Sequence, residues 1–409
     1  MIDPVAGSMA PAVDPGSFPA DLSPQRLVDV VARLADLTGR RIGTPGGQAA
    51  AAWLAGHLAD LGATVTLDTV PDVIVREVYA TPTLQWSDGA TTRDLVHRRD
   101  FAEHLASADL PTAARAPAVP VDAVNLSSSW VLAPAYTAAL AAQAASAGAI
   151  GLLVPRGVDG DGWMPKMIAG PPPAPIAVVS VRTDLHRLMT GATGVVAVTA
   201  AVPLRTTHVN GTNVYAVFAE PIGDAMSILL TAHFDGVGDD PDVRLPAACD
   251  NASGVAVVIE AARLLAPILP VGVGLAVALL DGEEAGARGS AHHAEQVRSG
   301  TFVINVDGAA QLGEAAAVEA GGPAHRLLAA LDQAGRAAGV PLRAGPMPSD
   351  NRRYTAAGLP AIGIGMGMPG YQTPAETPDR VQTDTLIEAT WLVVATVRNL
   401  TTTRPSPLS

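Results

Sequence analysis

Val273-Gly-Leu-Ala-Val-Ala-Leu-Leu-Asp-Gly-Glu-Glu284 is a run of apolar and small residues that stops abruptly at three carboxylates. A run this short, dense in Val and Leu, reads as a strand buried on both faces. The pattern recurs on either side. Residues 228–231 lead into Ala232-His-Phe-Asp235, and residues 301–304 lead into Asn305-Val-Asp307. Helical spacing fills the intervals at 253–265, 290–297 and 324–338, and again at 385–400. Further strands are expected at 214–218 and 361–364. Strand, loop and helix in alternation predict an α/β fold with a central, mostly parallel mixed sheet flanked by helices. Ligands of such sheets bind beyond the C-terminal ends of the strands, where these polar residues collect.

Working outward, Ser23-Pro24 and Thr44-Pro45 each have the form of a helix start, a side-chain cap followed by Pro at the first helical position. Gly62 stops the second helix, and a strand is expected at 63–67. Residues from about 75 to 207 differ in texture, with short β-like runs between Pro-rich loops and one Ala-rich helix near 134–147. The expected division is a tag-like N-terminus (1–22), the start of the main domain (23–74), a β-rich insert (75–207), the rest of the main domain (208–402) and a tail (403–409). Gly7-Ser8-Met9 has the form of a cloning scar before a native start.

Composition excludes several classes. The 409 residues are 48% hydrophobic and 16% charged, enough to bury a large core. The net charge of -13 argues against nucleic acid, whose phosphates call for Lys and Arg. Lys166 is the only lysine, and the only cysteine, Cys249, has no partner for an internal disulfide. No apolar run spans a bilayer without Gly, Pro or charge, so no membrane is expected. The N-terminus as it stands lacks the features of a signal peptide, which places the protein in the cytoplasm, or outside the cell if a leader was removed.

Each polar cluster alone has an ordinary explanation. A His at a strand end is commonly a rim residue, Glu283-Glu284 before a helix suits the helix dipole, and Asp250-Asn-Ala-Ser-Gly254 is a good helix cap. Their joint occurrence in order is what points to chemistry, because His and carboxylates are ligands of Zn²⁺ and similar cations.

The set His233-Phe-Asp235, Asp250-Asn-Ala-Ser-Gly254, Gly282-Glu-Glu284 and Asn305-Val-Asp307 resembles the M28-type zinc aminopeptidases. So do Ser349-Asp350 and Tyr371-Gln-Thr-Pro-Ala-Glu-Thr-Pro-Asp379, across most of 208–402. Thr38-Gly-Arg-Arg-Ile-Gly-Thr-Pro45 is similar to the family's N-terminal segment, and residues 75–207 to its inserted protease-associated domain. The resemblance implies roles. His233, Asp250 and Asp307 would hold one metal, and Asp250 would bridge to a second held by Glu284. Glu283 would be the general base, Tyr371 would steady the oxyanion, and Asp235 would orient His233. The Asp250–Asn251 peptide matches one that is cis in the family.

One position departs from the pattern. Where the family has His as the last ligand of the second metal, this chain has Gln372, whose amide is a poor zinc ligand. Glu376 also stands where the family often has Asp. The expectation is therefore a zinc hydrolase of amide or peptide bonds, with one ion held firmly and room for a second held weakly. Its substrate would be a small peptide or amino-acid amide, or a specialised small molecule. The alternatives are a transferase or cyclase of a biosynthetic pathway, and a non-catalytic metal-binding module. His292 and His293 are read as solvated or helix-packing, Cys249 as a small buried apolar residue, and Trp163, Met164 and Met167 as lid or satellite packing.

Overall fold

The computed structural model describes residues 21–192, 194 and 196–402. The expected N-terminal segment up to residue 20, with its scar-like triplet, and the tail at 403–409 lie outside the described residues.

Two eight-stranded sheets organise the chain. The first runs, in spatial order, through Thr64–Val78, Leu204–Ala219, Gly274–Leu280, Ser227–His233, Phe302–Val306, Ala361–Gly365, Ala316–Gly321 and Leu342–Ala344. Its four central strands, from Gly274–Leu280 to Ala361–Gly365, are mutually parallel, and antiparallel pairs flank them. The sheet is thus mixed with a parallel centre, as expected from the alternation of strand and helix.

Successive side chains of a strand point to opposite faces, and both faces are covered. Ile228 and Leu230 pack with five helices, Pro24–Asp36, Pro45–Asp60, Ser253–Leu265, His325–Ala338 and Thr383–Thr402. Leu229 packs on the other face with Ala294 and Tyr354, which belong to the short helices Arg288–Ala294 and Asn351–Ala356. The two N-terminal helices begin where their caps predict. Ser23 accepts from Arg26 N at 3.4 Å and Thr44 from Gly47 N at 3.1 Å.

The strand expected at 63–67 is far longer. Thr64–Val78 pairs antiparallel with Leu204–Ala219 as a ribbon, broken by one irregularity between Val70 and Val73. The ends anticipated for the insert, 75 and 207, therefore fall inside these two strands of the first sheet. The strands between 83 and 202 make the second sheet, in the order Thr92–Leu95, Thr83–Ser87, Ala197–Val202, Leu110–Pro120, Trp130–Leu132, Gly151–Arg156, Ala177–Arg182 and Phe101–Glu103. The Ala-rich helix is shorter than expected, Ala138–Ser146, with Thr137 as its cap.

A buried charge cluster joins the two sheets. Arg98 donates to Glu103 Oε1 at 2.6 Å and to Asp240 Oδ2 at 2.7 Å, and Lys166 Nζ lies 3.0 Å from Asp240 Oδ1. Asp240 follows the strand Ser227–His233 of the first sheet, whereas Glu103 ends a strand of the second and Arg98 and Lys166 lie on segments connecting its strands. Guanidinium charge at Arg98 holds the Glu103 carboxyl down to about 2 against the effect of burial.

His293 is buried between Tyr354, whose hydroxyl lies 2.9 Å from its Nδ1, and Tyr215. Burial pulls its pKa down to about 4, and neighbouring His292 adds to the effect against the opposing charge of Asp68. The unfolded chain takes up a proton near pH 6.5 while the folded chain resists until about pH 4. Stability is then lost as pH falls from about 6.5 to 4, by about 3 kcal/mol, and stays lost below. Melting temperatures of the unaltered protein and of His293→Phe should diverge across this window, the variant lacking that part of the slope. Parallel profiles would show that His293 is not the group responsible.

Candidate metal centre

The three parallel strands deliver their polar ends to one place. His233 closes the strand Ser227–His233, Asp307 follows Phe302–Val306, and Glu283 and Glu284 follow Gly274–Leu280. Asp250 arrives from the turn before the helix Ser253–Leu265. One ligand atom from each of His233, Asp250 and Asp307 lies within 4.8 Å of the others, and all three residues are buried. His233 Nε2 is 3.0 Å from Asp250 Oδ1 and 3.2 Å from Asp307 Oδ1. Its Nδ1 lies 3.2 Å from the backbone oxygen of Asp235 and 3.5 Å from that residue's carboxylate. With Nδ1 committed as a donor, Nε2 is left with a lone pair free for a cation. The Asp235 carboxylate accepts from the backbone N–H groups of Glu283 at 3.1 Å and Glu284 at 3.3 Å, so it also holds the Glu pair in place.

The Asp-Asn-Ala-Ser-Gly turn is locked to the neighbouring strand. Asn251 Nδ2 donates to Val306 O at 2.9 Å, and its Oδ1 accepts from Gly254 N and Gly308 N. Ser253 Oγ donates to Cys249 O at 2.6 Å and accepts from Ala309 N. A Cβ at Gly254 would fall 2.2 Å from Asn251 Oδ1, which is why only glycine suits that place. The Asp250–Asn251 peptide is cis. Capping and site geometry are thus the same set of bonds.

Gln372 lies beside Glu284, with a backbone φ of +54°. Its side-chain amide donates to Glu284 Oε2, its backbone N to Glu376 Oε2 at 2.8 Å, and its backbone O accepts from Lys166 N at 2.9 Å. Gln372 Oε1 and Glu284 Oε1 are both buried without a hydrogen-bond partner among the described residues. Tyr371 is partly open, 43% exposed, at the rim.

Three contributors were not legible as such. Arg40, from the N-terminal segment, is 2% exposed and donates to carbonyl oxygens of Leu34, Phe234, Pro246 and Ala247, stapling the two loops that carry Asp235 and Asp250. Burial brings its pKa down to about 10. Glu376 is 1% exposed and accepts from the backbone of Cys249, Asp250 and Gln372. Asp350 is fully buried, and burial raises its pKa to about 7. The only sequence signal for Glu376 was its place in the Tyr371–Asp379 stretch. Cys249 is buried, as read, and burial lifts its thiol pKa far above the usual range.

The electrostatics call for a cation. Burial raises Glu283 and Glu284 well above the usual carboxyl range, the neighbouring carboxylates adding to this and the charge of His233 opposing it. Burial likewise lifts Asp250, whereas the imidazolium form of His233 outweighs burial at Asp307 and lowers it. His233 itself is raised well above normal: burial opposes its charge, but Asp307, Asp235 and Asp250 prevail. So many carboxylates in one dry place stay ionised together only if a positive charge is shared among them. An imidazole nitrogen, carboxylate oxygens and the orphaned Glu284 oxygen form a donor set that suits a divalent zinc ion.

Residues 213–397 match the model of peptidase family M28. Solved structures agree on the architecture, which is the zinc aminopeptidase fold. An aminopeptidase from Aneurinibacillus sp. strain AM-1 aligns with a TM-score of 0.69 at 19% identity, over 92% of this chain and 93% of that one. A zinc aminopeptidase from Bacillus subtilis gives 0.67 at 20% identity, over 92% and 94%. A glutaminyl cyclase from Fimbriiglobus ruber gives 0.52 at 16%, over 95% and 99%. No curated protein matches the sequence. Among the described residues no helix is long and apolar enough to cross a membrane.

Proposed function

We propose that this protein is a zinc-dependent hydrolase of amide or peptide bonds, aminopeptidase-like, with an altered second metal position. The observation that carries this reading is the convergence of His233, Asp250 and Asp307 within 4.8 Å, with Glu283 and Glu284 held beside them by Asp235. His233, Asp250 and Asp307 would hold one zinc ion, and Asp250 with Glu284 would supply the charged ligands of any second. When bound, the ion lowers the pKa of water and polarises a carbonyl.

Glu283 takes the proton of the attacking water and returns it to the departing amine. Its raised affinity for protons in a buried place suits that exchange. The Tyr371 hydroxyl, whose pKa is raised by partial burial and by the neighbouring carboxylates, stays protonated and donates to the carbonyl oxygen as charge builds there. Asp235 sets both the His233 ring and the Glu pair. The strands between 83 and 202 are read as a protease-associated-like unit beside the site. The substrate class is a small peptide or amino-acid amide. Zinc per chain, measured together with release of p-nitroaniline from amino-acid p-nitroanilides, tests the reading. A zinc-free, inactive protein would overturn it.

Gln372 makes the second ion weak. Its amide nitrogen faces Glu284, where a ligand would present a lone pair, and its carbonyl oxygen is left unpaired. Near one tight zinc per chain is expected, with any second ion stripped readily by a chelator. Gln372→His should raise affinity for the second ion, seen by titrating zinc into both apo proteins. Two equally tight ions in the unaltered protein would show that the site is not weakened.

A further inference from the structure

Apart from the candidate metal centre, the unit around the second sheet encloses a cavity of about 430 Å³. Arg98 and Glu103 line it, buried to 1% and 3% exposure, and they satisfy each other. Arg156, at the end of the strand Gly151–Arg156, does not share in that balance. Its Nη2 donates to Pro165 O at 2.6 Å, and among the described residues it forms no ion pair. Burial, and the positive charge of Arg98, pull its pKa down against the partial opposing effect of Glu103. A half-buried guanidinium with no carboxylate at contact distance is costly unless a ligand supplies one.

The neighbours say what else the ligand carries. His104 Nδ1 accepts from Ala106 N at 3.2 Å, so the neutral ring keeps its proton on Nε2 as a donor. Burial lowers the His104 pKa and favours that neutral form. The His104 ring lies against Tyr136, with centroids 4.4 Å apart. Pro134, Pro155 and Met167 complete an apolar wall.

We propose that this cavity is a binding site for a carboxylate carried on a compact apolar body, with Arg156 as partner of the anion and the His104–Tyr136 pair as support for the body. The guanidinium fork matches a carboxylate's two oxygens. Among the described residues lining the cavity, Arg156 is the one cation without an ion pair at contact distance, which matches a single negative charge. A peptide C-terminus and a free small organic acid share this chemistry.

Calorimetric titration separates the possibilities, using N-acetyl-leucine, the tripeptide N-acetyl-Ala-Ala-Leu and that tripeptide's C-terminal amide. A charged hydrogen-bonded contact changes affinity by about 10- to 100-fold, so the acid should bind tighter than the amide by that factor. Arg156→Gln should bring the acid to the level of the amide. Arg156→Lys, which keeps the charge but loses the fork, should fall between. His233→Ala should leave the contrast intact, since this cavity is separate from the metal centre. Tighter binding of the tripeptide than of N-acetyl-leucine assigns the site to peptide ends, and equal binding assigns it to small acids. Equal binding of acid and amide by the unaltered protein would overturn the proposal. So would a contrast that survives Arg156→Gln in a folded variant but is lost in His233→Ala.

Discussion

Glu283→Gln should slow hydrolysis of an amino-acid p-nitroanilide by at least about 10²–10⁴-fold, the usual worth of a general base. The amide keeps the size of the carboxyl group and its place after the strand Gly274–Leu280, held through its backbone N–H by Asp235. Only the capacity to accept a proton is lost. Glu283 is not among the three residues whose ligand atoms converge, so zinc content should match that of the unaltered protein. Metal analysis and kcat on the same preparation make the comparison. An unchanged rate would move the proton transfer to another residue.

His233→Ala should remove the metal and with it all measurable activity. The imidazole is the one nitrogen donor of the convergent trio, and its Nε2 sits within 3.2 Å of both carboxylates. Without it, Asp250 and Asp307 are left with no nitrogen donor between them. Zinc affinity should fall by well over 10-fold, given that even the partners behind a ligand are worth about 10–100-fold. Equilibrium dialysis against zinc reads this directly. Full zinc retention by a folded His233→Ala protein would refute the ligand set.

What the sequence disclosed about the fold were the places where an apolar run meets a cluster of charge. The strands ending at His233 and Leu280 were legible because each is dominated by buried apolar residues up to the rim of the sheet, where charge begins. The ribbon Thr64–Val78 was not, because most of its side chains are exposed or half-exposed and its length is set by pairing with a segment 140 or so residues away. The strand Ala316–Gly321 and the edge strand Leu342–Ala344 beside it lacked a clear apolar pattern for the same reason. At the site, residues at strand ends and in the turn before the helix stood out by type and order. Arg40 and Glu376 did not, since each acts through backbone groups brought near only by folding.

Lys166 is the chain's single lysine, 3% exposed, with its ammonium bonded to Gly238 O, Asp239 O and Asp240. Burial also lowers its pKa, though the loss of access dominates. The folded surface consequently offers no lysine amine to acylating reagents or to amine-directed cross-linkers. Succinimidyl esters that modify side chains elsewhere in proteins will find Lys166 only when the junction between the two sheets opens. The extent of its acylation over time thus becomes a clock for that opening, read at one residue by mass spectrometry with no engineered label.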